Sequence, residues 1–138
     1  MMDAQVEASE AHDISSDADV VNIRQSVRSH AVSAKLSLID QTKLVTAVSE
    51  LARNTLVHGG GGKATVEMVS SGAQRGVRVA FTDAGPGIPD VNLALTDGWT
   101  SGSGLGLGLS GAKRLVDDFD LHSEPGTGTT VSVVKWSR

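Results

Sequence analysis

Val77-Arg78-Val79-Ala80-Phe81-Thr82-Asp83-Ala84-Gly85-Pro86-Gly87 alternates apolar side chains and then breaks into a glycine turn, with a carboxylate at the junction. Period-two alternation marks a strand with one face on a core. Asp83 therefore emerges at a strand end. Gly85 and Gly87 let the backbone turn tightly and approach a flat ligand. A carboxylate there can accept the exocyclic amine of adenine. Asp-x-Gly-Pro-Gly is also good turn chemistry in its own right.

Working backwards, Ala64, Val66 and Met68 alternate with Thr65 and Glu67, which predicts a partner strand joined through a turn at Ser70–Gly76. Every one of the 16 glycines lies after His58, so the first 58 residues read as helices. Ser16-Asp17-Ala18-Asp19 supplies a helix start, and Val20, Ile23, Val27, Ala31 and Ala34 recur at helical spacing. Asp40 is expected to cap a second helix whose buried stripe is Leu44, Val48, Leu51 and Thr55, ended by Gly59 to Gly62. Working forwards, a polar loop from Asp83 to Gly104 precedes an expected helix over Leu107 to Asp118. A short strand over 119–123, a turn at Pro125-Gly126 and a last strand over Thr129–Val134 complete the pattern. Helices, a hairpin, a helix and a second hairpin predict an α+β two-layer sandwich with helices on one sheet face.

A chain of 138 residues is large enough for one core but not for two. No apolar run approaches the ~20 residues that span a bilayer, and the N-terminus has no basic region leading into an apolar stretch. Membrane partners are not expected. The absence of cysteine excludes disulfides and thiolate chemistry and fits a reducing cytoplasm, the expected location. The charge of −4 is uneven, because residues 1–19 carry six acids and no Lys or Arg. Residues 1–15 read as an acidic solvated leader or as a first strand around Val6–Ile14, with the domain over 16–138. No basic stripe interleaves with aromatics, so nucleic acid is not an expected partner.

Three further stretches carry chemistry. In Glu50-Leu51-Ala52-Arg53-Asn54, Glu50 and Asn54 lie on one helix face, about 40° apart around the axis. A carboxamide oxygen suits Mg²⁺, which keeps waters and takes one or two protein oxygens plus phosphates. A carboxylate one turn away can take a proton from an attacking hydroxyl. His58, a turn further on, is placed to reach a phosphate. The bland alternative for these residues is the solvated face of an amphipathic helix.

The second stretch is Gly102-Ser103-Gly104-Leu105-Gly106-Leu107-Gly108. Gly106 to Gly111 matches G-x-G-x-x-G, yet a loop and not a strand precedes it, so the dinucleotide fingerprint is rejected. Gly62-Lys63 is followed by Ala64, and Val57 stands where a phosphate-binding loop needs its first glycine, so that motif fails too. A glycine-rich lid ending on a helix N-terminus remains, where free N–H groups favour phosphates. The third stretch, Gly126-Thr127-Gly128-Thr129, is explained by a hairpin turn, but its place makes Thr129 a candidate second contact to an adenine edge.

In order and spacing these motifs resemble the N, G1 and G2 boxes of the GHKL ATPase superfamily, over roughly residues 15–138. The resemblance implies a Bergerat-type ATP-binding fold, with a mixed, largely antiparallel sheet. With no phospho-acceptor hairpin expected before it and no transducer domain after it, the chain is most similar to the small bacterial anti-sigma and partner-switching serine kinases. Asp83-Ala84-Gly85-Pro86-Gly87-Ile88-Pro89-Asp90, Asp97-Gly98-Trp99-Thr100, Lys113-Arg114-Leu115 and Val134-Lys135-Trp136 resemble the stressosome switch kinases among them.

That likeness implies that Glu50 is the general base, Asn54 the Mg²⁺ ligand and Asp83 the adenine anchor. Arg53 and His58 would assist, and Gly85, Gly87, Gly102, Gly104, Leu105, Gly106 and Thr129 would shape the ATP site. It further implies a protein serine/threonine kinase acting on STAS-domain proteins, then binding and activating a PPM-type phosphatase. An anti-sigma factor binding its sigma subunit directly, or a nucleotide-dependent switch with little catalysis, are the alternatives. One departure stands out. Related anti-sigma kinases bring a lid arginine to the γ-phosphate, whereas Leu95–Gly108 holds no Lys or Arg. Arg53, Lys113 and Arg114 are the candidate substitutes.

Overall fold

The computed structural model describes residues 4–95 and 108–138. It runs β1 (Gln5–Ile14), α1 (Asp17–Ser33), α2 (Leu38–Val57), β2 (Gly62–Ser71), β3 (Gln74–Asp83), α3 (Val91–Ala94), α4 (Leu109–Leu115), β4 (Asp118–Glu124) and β5 (Gly128–Trp136). The strands form one sheet in the order β1-β2-β3-β5-β4, and all four pairings are antiparallel. The helices pack on one face, so the α+β two-layer expectation holds. Among the described residues, no helix is long and apolar enough to cross a membrane.

The core follows from the register. Val66 lies opposite Val79, and Val79 opposite Val133, giving one apolar row across three strands. Ile23 and Val27 of α1 and Leu44, Val48 and Leu51 of α2 meet that face and are almost wholly buried. Removing each such side chain from water contributes about 1.5–3 kcal/mol. The β2–β3 hairpin closes more tightly than expected. Ser71 pairs with Gln74, leaving a turn of Gly72-Ala73 with Gly72 at φ 62°.

The first 58 residues are not all helical. Of the two readings of residues 1–15, residues 5–14 form a strand, β1, paired with β2 along its length. It is an edge strand, exposed except near Ile14, so its acidic side chains stay in water and its alternation is weak. The first helix starts as expected, with the Ser16 side chain accepting the Asp19 N–H. The Asp19 carboxylate accepts the Ser15 backbone N–H at 2.8 Å and is held below its usual pKa chiefly by that bond.

Asp40 is not the cap of α2. Ser37 is, its Oγ accepting the Asp40 N–H at 3.1 Å. The extra turn was hidden because Leu38 and Ile39 are 72% and 69% exposed and lie off the buried stripe. The Asp40 carboxylate instead faces Lys135 Nζ at 3.6 Å, a buried ammonium that Asp117 also meets at 3.6 Å. Ser37→Ala should therefore lower stability by ~1 kcal/mol in urea melts. An unchanged midpoint would remove Ser37 from the capping role.

The expected helix over Leu107 to Asp118 is also shorter. Gly108 takes φ 64° as N-cap, and Val116 turns extended. That extension lets Asp117 donate its N–H to Val134 O (2.9 Å) while its carboxylate accepts the Trp136 N–H (2.7 Å). Pairing to β5 overrides helical propensity there.

Candidate nucleotide site

The site is built on one row of the sheet. Gly62 lies opposite Asp83, Asp83 opposite Thr129, and Thr129 opposite Ser123. Directly opposed residues point to the same face, here the helix-covered one. Asp83 and Thr129 are thus side by side under the C-terminal half of α2. Asn54 and His58 of α2, Asp83, Thr129 and the apolar side chains of Leu51, Phe81, Ile88, Leu109, Leu121 and Val131 line a single cleft. Apolar walls with a few convergent polar groups are what a flat heterocycle needs.

Backbone held close around Asp83 shapes this end. Asp83 Oδ1 accepts the Gly85 N–H at 2.9 Å, an Asx turn that fixes the carboxylate. A β-carbon at Gly59 would land on the Asp83 carboxyl group, and one at Gly85 would lie 2.7 Å from Gly59 Cα. The loop after β3 therefore rests directly on the end of α2. Gly87 has φ 78°, and a side chain there would strike the Glu124 backbone. Its carbonyl oxygen lies 3.3 Å from His58 Nε2. His58 faces the cleft, tied to this loop.

Glu50 sits apart. It is half-buried one turn back on α2, against Gly108 at the start of α4; a β-carbon on Gly108 would lie 2.5 Å from its Oε1. Together with Thr46, Ser49, Arg53, Gly111 and Ala112 it lines a depression between α2 and α4 that adjoins the cleft. Arg53 is exposed on its rim. The structure thus brings Asn54, His58, Asp83 and Thr129 together and puts Glu50 and Arg53 next door across Gly108. Gly102, Gly104, Leu105 and Gly106 lie outside the described residues, as does Trp99.

Ser123 is the polar residue that sequence reasoning passed over. Its Oγ accepts the Ile88 N–H at 2.7 Å and lies 2.9 Å from Thr129 Oγ1. The signal was present: Phe119, Leu121 and Ser123 share one strand face, and a serine at an inward position needs partners.

The donor set suits a magnesium nucleotide better than a metal alone. Among the described residues no three His, Asp or Glu side chains gather to hold a cation. One carboxamide, Asn54, is adequate where phosphates and water complete the shell.

Comparisons with known proteins place the chain in a family and match its fold. Residues 39–137 match the histidine kinase-, DNA gyrase B- and HSP90-like ATPase family model. The chain is 41% identical over 120 residues to the serine/threonine-protein kinase RsbT of Bacillus subtilis, covering 87% of this chain and 90% of that one. It is 30% identical over 99 residues to the anti-sigma F factor of Bacillus licheniformis, covering 68% of each chain. Among solved structures, the RsbU and RsbW domains of Rv1364c from Mycobacterium tuberculosis match with a TM-score of 0.62 at 18% identity. That match covers 93% of this chain and 31% of the other, and bears on the fold alone.

Proposed function

This chain belongs to the histidine kinase-, DNA gyrase B- and HSP90-like ATPase family, and from that premise we propose an ATP-dependent protein serine/threonine kinase of a partner-switching pathway. The observation that carries the reading is Asn54 and Asp83 lining one cleft, with Glu50 one turn back on the same helix. Asp83 and Thr129 hold the base. Asn54 would hold Mg²⁺, which neutralises phosphate charge when bound. Glu50 takes the proton of the attacking hydroxyl as the γ-phosphoryl group passes from ATP to that oxygen and ADP leaves. Arg53, which lines the same depression as Glu50, is the candidate cation at this end. Lys113 and Arg114 lie on the exposed surface of α4.

The substrates in this reading are Ser or Thr residues of STAS-domain proteins. Release from them frees the kinase to bind and activate a PPM-type phosphatase in the cytoplasm. The likeness to anti-sigma F factors favours one second reading, a kinase that also binds a sigma factor directly.

Incubation of the purified chain with labelled ATP, Mg²⁺ and candidate STAS proteins tests the proposal. Label is expected on a Ser or Thr of one of them. ATP binding without transfer to any would leave a nucleotide-dependent switch in place of a kinase.

A further inference from the structure

We infer that Ser123 is a positioning residue that turns the Thr129 hydroxyl into a hydrogen-bond donor towards the bound base. The inference rests on the nucleotide-site reading above and deepens it, because it assigns the two halves of adenine recognition to different side chains.

Proton counting carries it. A hydroxyl has one proton to give and two lone pairs to offer. The Ile88 N–H occupies a lone pair of Ser123 Oγ at 2.7 Å. Ser123's own proton then has two acceptors in reach, Thr129 Oγ1 at 2.9 Å and Gly128 O at 3.3 Å. Only the Thr129 contact lies within the usual O–H···O range of about 2.5–3.0 Å, and the inferred arrangement places the Ser123 proton there, since the reverse sense leaves it only the longer Gly128 contact. With an acceptor site filled by Ser123, Thr129 keeps its own proton for the cleft.

Across the ladder stands Asp83, which when ionised only accepts. The row therefore presents an acceptor beside a donor. Adenine presents the complement, an amine donor beside a ring-nitrogen acceptor. Asp83 reads the amine and Thr129 reads the ring nitrogen, with Ser123 keeping Thr129 in that sense. A guanine ring held in the same orientation offers the reverse order.

ATP and 1-deaza-ATP, in which a C–H replaces that ring nitrogen, separate the two contacts. Calorimetry on the full chain should show ATP bound about tenfold more tightly than 1-deaza-ATP, the worth of one well-placed hydrogen bond. Ser123→Ala should shrink that preference to about two- or threefold. Ser123→Thr, which keeps the hydroxyl, should restore it. A loss in Ser123→Ala that is equal for both nucleotides would mean that Ser123 only supports the Ile88 loop, and the inference falls. Equal binding of the two nucleotides by the parent chain also overturns it, while leaving the ATP site standing. Binding of neither by the folded parent overturns the nucleotide reading itself, and the inference with it.

Discussion

Asp83→Asn should lower ATP affinity roughly ten- to a hundredfold, a loss of ~1–3 kcal/mol, while leaving the fold in place. The substitution keeps shape and changes only what the side chain offers. In the parent, one carboxylate oxygen accepts the Gly85 N–H and the other remains for the base. An amide has two orientations here, and both fail. If its oxygen keeps Gly85, its NH₂ points a donor at the donating amine of adenine. If it flips, the NH₂ confronts the Gly85 N–H and the turn itself is opposed. Gly59 packs against this carboxyl group, where a β-carbon would land on it. Calorimetry with ATP reads the effect, and circular dichroism checks the fold. Parental affinity in a folded Asp83→Asn chain would take this residue out of the site.

Asp83 was legible because its neighbours are. Alternation from Val77 to Phe81 fixes a strand, and a strand end followed by Gly-Pro-Gly fixes where a carboxylate emerges. Glu50 and Asn54 were legible for a similar local reason, since helical spacing alone puts them on one face. What the sequence could not give was the row. Thr129 stands beside Asp83 because β5 inserts between β3 and β4, and that non-local pairing leaves no period to read.

Ser123 joins the row by the same register, through an inward serine whose meaning depends on two loops meeting it. Strand β1 was obscured by its edge position, which relaxes the demand for apolar alternation. Ser37 lay hidden behind two exposed apolar residues, and α4 lost its last turn to a pairing with β5. In each case a tertiary contact outweighed a local preference.

Glu50 should separate catalysis from binding. Its carboxylate lies outside the cleft shared by Asn54, Asp83 and Thr129, in the adjoining depression across Gly108. It should therefore contribute little to holding the base. Taking a proton from the attacking hydroxyl is usually worth about 10²–10⁴-fold in rate. Glu50→Gln keeps the side chain's length, its helix propensity and its contact with Gly108 while removing the basic oxygen. This variant should bind Mg·ATP and its STAS partner normally but transfer phosphate slower by that factor. Asn54→Ala should behave differently, losing the Mg²⁺-dependent part of nucleotide binding together with transfer. Both variants are to be compared with the parent for nucleotide affinity, with and without Mg²⁺, and for phosphate incorporated into the partner. Transfer at the parental rate by Glu50→Gln would end its assignment as general base. Parental Mg²⁺ dependence in Asn54→Ala would likewise remove the carboxamide from the metal. Loss of transfer in the first variant with binding intact, and of both in the second, is the pattern that a proton acceptor and a metal ligand one helical turn apart must produce.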